Sequence, residues 1–407
     1  MSNLKSGLER LAREGTLHPQ ESLVQVKAKK QELQIGIPKE VSRQENRVSL
    51  TPEAVGLLVN NGHEVLVETK AGETSKYQDN EYVDAGARIV YDRKTVFESQ
   101  VTLKVEPPTL EEIDLLKSGN VIISALQLGD QNKKNIEALQ NKKVTAVAYE
   151  LIQDRDGGRP VVRAMSEIAG SASILIAGEY LNSSKNGKGI LLGGITGVPP
   201  AKVVILGAGT VGEFAARAVL GLGACVEIYD NEIYKLRRIK TMLGTQVYTS
   251  IIDPVVLANT LENTDLLIGA IRAETGKSKV VISEEMIANM KPESMVIDIS
   301  IDQGGCIETS ETTSHKDPVF RKYDVIHYCV PNIASAVPRT ATKAFSHIFG
   351  PMLLQVADEG GIDGMIFNNE WFMKGVYIYR GSLTNEDIAH KYGLHCKDLE
   401  LLRAARI

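Results

Sequence analysis

The stretch Lys202-Val203-Val204-Ile205-Leu206-Gly207-Ala208-Gly209-Thr210-Val211-Gly212 constrains the fold of this chain more than any other. Four consecutive branched residues, Val203 to Leu206, read as a buried strand. Glycines follow in G-x-G-x-x-G spacing, and Glu213 to Leu220 continues as a helix. A second apolar strand, Cys225-Val226-Glu227-Ile228-Tyr229, ends in Asp230, 18 residues after Gly212. Gly207 permits the tight turn, Gly209 lets the backbone approach a pyrophosphate, and Gly212 lets helix and strand pack closely. Thr210 and Val211 open the helix, whose free N–H groups and positive dipole end face the phosphates. Asp230 is suited to accept hydrogen bonds from a ribose diol and to repel a 2′-phosphate, which favours NAD over NADP.

Beyond this turn the chain alternates strands with helical stretches, the pattern of parallel sheets covered on both faces. Ile35–Ile37, Glu64–Glu68, Arg88–Val90, Val101–Val105, Val121–Ser124 and Val144–Ala148 read as one series of strands. Thr51 and Pro52 mark a helix start between the first two, as N-cap and first helical residue. A second series begins near Val203 and includes Asp265–Ile268, Met295–Ile299 and Val325–Cys329. A helix from Glu167 to Leu181 is placed to bridge two domains, and helical patterns return after Val337-Pro338-Arg339. The expected fold is α/β: two doubly wound Rossmann-like domains with a cleft between them, which the chain crosses twice. Residues 1–32 form an N-terminal extension, in which Leu4, Leu8 and Leu11 share a helical face that Gly15 stops. Residues 33–163 plus 339–407 form a substrate domain, and 164–338 a nucleotide domain.

A chain of 407 residues with a net charge of −5 has room for two cores and no electrostatic reason to bind nucleic acid or an anionic membrane. No run of membrane-spanning length and no signal peptide stands out. The four cysteines, Cys225, Cys306, Cys329 and Cys396, lack metal-ligand spacing. Three lie in or beside apolar segments, which points to buried free thiols in a cytoplasmic protein. No metal site is expected.

Several segments carry a family resemblance. Ile37-Pro38-Lys39-Glu40 followed by Glu45-Asn46-Arg47-Val48-Ser49-Leu50-Thr51-Pro52 resembles the opening of alanine dehydrogenases and of the NAD-binding part of nicotinamide nucleotide transhydrogenases. Met165-Ser166-Glu167-Ile168-Ala169-Gly170, Leu191–Gly194, Asp298–Cys306 and His327–Asn332 extend the likeness from about Ile35 to the C-terminus. The Met165 and Asp302 segments look more like alanine dehydrogenase than transhydrogenase. The resemblance implies NAD-dependent oxidation of L-alanine to pyruvate and ammonium in a homo-oligomer, often a hexamer. Arg47 matches the family's arginine for the substrate carboxylate, a role suited to a guanidinium fork. Asp302, just past an apolar strand, matches the active-site aspartate; Asp298 within that strand reads as structural. Ser166, Gly269, Ala270 and Asn332 match positions around the nicotinamide and its ribose, while Gly304 and Gly305 read as a turn of positive φ.

Two positions depart from the family pattern. Lys104-Val105-Glu106-Pro107-Pro108 puts Glu106 where the family has a substrate-contacting lysine. Leu126-Gln127-Leu128 puts Gln127 where it has the active-site histidine. Gln127 can hydrogen-bond but cannot act as an acid or base near neutrality. If the strand runs on through Val105, Lys104 and Glu106 share a face, and an ion pair between them keeps Lys104 at the site. None of the seven histidines falls in a motif that replaces the missing one. Three alternatives stay open beside alanine oxidation: a different 2-oxo acid, an NAD(H)-binding regulator, and, least favoured, a transhydrogenase component.

Overall fold

A computed structural model of the chain describes residues 30–42, 44–127, 132–154, 156–272 and 278–404. The expected helix around Leu4 to Leu11 lies outside the described residues. Two sheets organise the rest. The first holds β1 (Gln34–Ile37), β2 (Glu64–Glu68), β3 (Arg88–Val90), β4 (Val101–Leu103), β5 (Val121–Ser124) and β6 (Thr145–Ala148), all parallel where they pair. The second holds β7 (Lys202–Leu206), β8 (Cys225–Tyr229), β9 (Tyr248–Ser250), β10 (Leu266–Gly269), β11 (Met295–Asp298), β12 (Val319–Lys322) and β13 (Val325–Tyr328). Its order is β12-β13-β11-β10-β7-β8-β9, with only β12 antiparallel. From the C-terminal region β14 (Val376–Tyr379) and β15 (Ser382–Leu383) complete the first sheet, in the order β15-β14-β6-β5-β4-β1-β2-β3. The α/β, two-sheet expectation therefore holds.

Strand order reverses beside β1 in the first sheet and beside β7 in the second. At such switch points the loops leaving the C-terminal ends of neighbouring strands diverge and open a crevice. Two 21-residue helices, Pro160–Tyr180 and Pro338–Asp358, carry the chain between the sheets. The second lays Phe345, Phe349 and Leu353 onto the core of the first sheet, beside Ile35, Val65 and Val101. The first packs on the helix Thr210–Gly221 closely enough that a Cβ at Gly170 would stand 2.4 Å from the Val211 carbonyl.

Three expectations need correction. The bridging helix starts at Pro160, which satisfies the first helical position, rather than at Glu167, so Met165 and Ser166 lie inside it. The same helix is long and apolar enough to cross a membrane by length and composition, contrary to the sequence reading. Its length is instead used between the two sheets, where Ala169, Gly170, Ala172, Ile174 and Ala177 are buried. Among the cysteines, Cys306 and Cys329 are buried, but Cys225, the first residue of β8, is exposed.

Candidate active site

The glycine turn leaving β7 has the geometry its spacing predicts. Gly207 sits at φ +105°, and a Cβ there would stand 2.5 Å from the Ala270 carbonyl. A Cβ on Gly212 would meet the Gly207 carbonyl at 1.9 Å. Gly209 faces open space, with nothing within 4 Å of a built Cβ. Gly209 is also the N-cap of the helix opening with Thr210 and Val211, and no side chain caps it. Its first N–H groups are thus available to an anion, which fits the pyrophosphate of a dinucleotide. Asp230, half-buried after β8, accepts hydrogen bonds from Ala208 N at 2.7 Å and from Glu232 N at 2.8 Å. The carboxylate braces the turn, and each oxygen retains acceptor capacity beyond these two bonds. Gly269 and Ala270 end β10 beside this turn, and Ala270 N donates to Leu206 O at 2.8 Å.

Arg47 is buried at the other side of the crevice. Its Nε and Nη2 donate to Glu45 at 2.7 and 2.5 Å, while Nη1 meets Met165 Sδ at 3.3 Å. Burial works against the Arg47 charge, and Glu45 more than reverses that effect, so the group stays cationic. The guanidinium also lies 5.2 Å over the Phe345 ring. Glu45 accepts a further bond from Asn332 Nδ2 at 2.9 Å, and Asn332 N donates to Asp302 Oδ1 at 2.9 Å. Asn332 takes a left-handed conformation, φ +57°, that presents both donors. Arg47, which follows β1, is thereby joined through Glu45 and Asn332 to Asp302, which follows β11. Asp302 lies in the short turn Ile299–Gln303, closed by Gly304 at φ +92°. Asp298 is structural, as expected: its carboxylate accepts from Ser300 N, Cys306 N, Ile307 N and Ser310 Oγ.

The expected Lys104–Glu106 pair is replaced by a different arrangement. β4 ends at Leu103, because the Glu40 carboxylate takes the amides of Val105 (2.6 Å) and Glu106 (3.4 Å) and turns the chain. Lys104 is 1% exposed and pairs with Glu40 at 3.0 Å and Glu112 at 3.3 Å. Burial opposes its charge, but the two carboxylates outweigh it. Lys104 therefore ties Glu40 to Glu112 in place of the expected pair with Glu106. Lys104→Met is expected to cost roughly 3 kcal/mol or more of stability by leaving the buried Glu40 carboxylate without its cation, while Glu112 keeps Arg93. A thermal or denaturant melt checks this, and an unchanged midpoint contradicts it.

Glu106 itself is half-buried at the mouth of this acidic wall. Burial first, then Glu45 and Glu40, push its carboxyl up to about 7. Gln127 follows β5 at φ +47°, and Glu150 holds its amide at 2.8 Å and that of Leu126 at 2.7 Å. Ser166 neighbours Met165 on the bridging helix, half-buried. Sequence reasoning missed Glu45, Glu150 and His315. The His315 ring sits against the Asn332 backbone in the field of Glu45 and Arg47, and burial lowers its pKa. No motif marks it, since it lies thirteen positions after Asp302 in a segment without a regular helix or strand. Among the described residues no group of three or more His, Cys, Asp or Glu is arranged to hold a metal.

Comparison with known proteins gives one consistent result. The model for the alanine dehydrogenase/PNT N-terminal domain matches residues 36–169, and that for the alanine dehydrogenase/PNT C-terminal domain matches 173–386. The chain is 40% identical over 362 residues to an alanine dehydrogenase of Bacillus subtilis (strain 168), covering 88% of this chain and 94% of that one. It is 39% identical over 369 residues to alanine dehydrogenase 2 of Staphylococcus aureus (strain N315), covering 90% and 99%. A solved L-alanine dehydrogenase superposes with a TM-score of 0.84 at 34% identity, covering 89% of this chain and 99% of that one. A transhydrogenase from Sinorhizobium meliloti shares the fold, with a TM-score of 0.74 at 24% identity over 87% and 99%.

Proposed function

The chain belongs to the alanine dehydrogenase/PNT family, and from that premise we infer that it oxidises L-alanine with NAD to pyruvate and ammonium, reversibly. The observation that carries this reading is the bonded path Arg47–Glu45–Asn332–Asp302, which brings a cation and a carboxylate from the two sheets to one crevice. The cofactor, when bound along Gly207, Gly209, Thr210, Val211 and Gly212, supplies the nicotinamide that accepts hydride from the substrate Cα.

This chain's residues do the rest. Arg47 takes the substrate carboxylate on Nη1, since Nε and Nη2 are engaged by Glu45. That contact fixes Cα for hydride transfer. The ionised Glu106 carboxylate takes a proton from the substrate ammonium, because only the neutral amine can give up hydride and become an iminium. Asp302 stabilises the iminium charge, and Gln127 hydrogen-bonds the oxygen that water then adds at the same carbon. Ammonium leaves, and protonated Glu106 supplies the proton in the reverse direction. Ser166, Gly269, Ala270 and Asn332 line the nicotinamide end. Lys104 acts only as support for Glu106 and its acidic neighbours.

NADH oxidation with ammonium across a panel of 2-oxo acids including pyruvate and glyoxylate tests the reading. Pyruvate is expected to be turned over; turnover of another acid alone, or NADH binding without turnover, contradicts it. Asp230→Asn is expected to narrow the preference for NADH over NADPH by about tenfold or more, by removing one charge opposite the 2′-phosphate. Calorimetry with both nucleotides reads this, and an unchanged ratio removes Asp230 from cofactor selection.

The substrate domain comprises residues 33–163 and 339–407, and the nucleotide domain 164–338. In this reading the protein is a cytoplasmic homo-oligomer. Exposed Leu175, Leu191, Ile195 and Val198 support association, since copies of the chain would shield them from water.

A further inference from the structure

Glu150 and Arg272 take no part in the proposed reaction steps, and the two groups interact electrostatically. Glu150 follows β6 of the first sheet. Its Oε1 holds the amides of Leu126 and Gln127, but its Oε2 is buried with no hydrogen-bond partner among the described residues. A buried carboxylate oxygen left without a donor is costly and calls for an explanation. Arg272 comes from the second sheet, three residues past the end of β10. Its neighbour Ile271 packs against the fingerprint turn, with Ile271 N 3.2 Å from where a Cβ on Gly207 would stand. Ser278 hydrogen-bonds Ile271 O through Oγ (3.3 Å) and Gln303 O through its amide (2.8 Å). Arg272 is therefore held between the dinucleotide turn and the Asp302 turn.

Its guanidinium makes no hydrogen bond or ion pair with a described residue. Part of its surface meets solvent; desolvation of the rest and the nearby Arg159 lower its pKa, while Glu150 and Asp302 act in the opposite sense. Two guanidinium groups thus stand near one carboxylate that has one oxygen free. Pairing that oxygen with Arg272 satisfies Glu150 and relieves the repulsion between Arg159 and Arg272 together.

We propose that Arg272 is a positioning residue: with cofactor and substrate bound, its guanidinium donates to Glu150 Oε2. The pair ties Gln127 of one domain to the Asp302 turn of the other. Because Glu150 Oε1 already accepts from the Gln127 backbone N–H and holds that residue in its left-handed conformation, fixing the other oxygen fixes the backbone from which the Gln127 carboxamide reaches the reacting carbon. The contact forms as the Arg272 side chain swings toward Glu150 when the crevice is occupied. This rests on the assignment of the crevice as the reaction site.

The test is a double-mutant cycle on kcat, with whichever 2-oxo acid the wild-type protein turns over. Arg272→Met and Glu150→Gln are each expected to lower kcat by about 10- to 100-fold, with the NADH dissociation constant changed less than about threefold. The double variant is expected to be no worse than the poorer single one, and Arg272→Lys to recover about a third of the loss on a logarithmic scale. Additive losses for Arg272 and Glu150, or an unchanged kcat in Arg272→Met, overturn the proposal. Should Glu150→Gln fail to fold, the Met and Lys variants at Arg272 decide alone. A crystal structure with NADH and pyruvate gives a readout independent of turnover. Arg272 within 3.5 Å of Glu150 Oε2 supports the pair, and separation beyond about 5 Å overturns it even if the substrate assignment stands. Absence of wild-type turnover with every acid, with the contact present, would remove the substrate assignment and leave the pair.

Discussion

Arg47→Lys is expected to lower kcat/KM for pyruvate by on the order of a thousandfold, with a folded protein and NADH affinity near the wild-type value. The size follows from how Arg47 is used. Two of its three nitrogens are committed to Glu45 at 2.7 and 2.5 Å, and Nη1, whose hydrogen-bond contact is the weak acceptor Met165 Sδ, is the one left for a ligand. A guanidinium can serve two carboxylates along different edges; an ammonium placed against Glu45 cannot reach both. The lysine keeps the buried Glu45 paired, so the loss is of substrate binding and orientation rather than of the fold. Steady-state kinetics with a thermal melt separate the two. A loss of less than about tenfold would mean the carboxylate is held elsewhere.

What could be read from the sequence and what could not divide along a physical line. The nucleotide turn was legible because it is a backbone requirement. Gly207 needs φ +105°, and Gly212 has no room for a Cβ, so the residues at those positions are dictated locally. The strands were legible because burial on both faces demands unbroken branched residues. The substrate end depends on which charges meet across the fold, and sequence spacing does not encode that. Lys104 illustrates the point: reading Val101–Val105 as one strand places it beside Glu106. The Glu40 carboxylate, 65 residues from Val105 in the chain, captures the amides there and ends the strand. Glu45 looked like a neighbour of the functional Arg47, yet it is the group that sets which guanidinium edge remains free. Glu150, the last residue of an apolar run, and His315, in an irregular segment, carried no pattern at all. The loss of a lysine and a histidine was visible; that the incoming Glu106 is placed to titrate near neutrality was not.

Glu106→Gln is the second large effect, expected to lower kcat for L-alanine oxidation by about a hundredfold at pH 8. Burial is the first cause of its raised pKa, and the nearby carboxylates of Glu45 and Glu40 add to it. The sign is fixed by the chemistry. The carboxylate form is needed to accept a proton during oxidation, so activity should rise as pH increases through about 7. For stability the direction is opposite. A carboxyl whose pKa is raised on folding from 4.5 to about 7 contributes stability below about 4.5 that is lost as pH rises through about 7. The glutamine variant should therefore melt no lower than the wild-type protein at pH 8, while losing turnover, which separates a proton-transfer role from a structural one.

The claim at the centre of this account is that a carboxyl at position 106 performs the proton transfer that an imidazole at position 127 cannot. The kcat–pH profile for L-alanine oxidation, measured for the wild-type protein and for Glu106→Gln, tests it directly. A rising limb centred near 7 is expected in the wild-type protein and no such limb in the variant. The same limb persisting in Glu106→Gln, with less than about a threefold fall in kcat at pH 8, would contradict it and assign the proton transfer to another group.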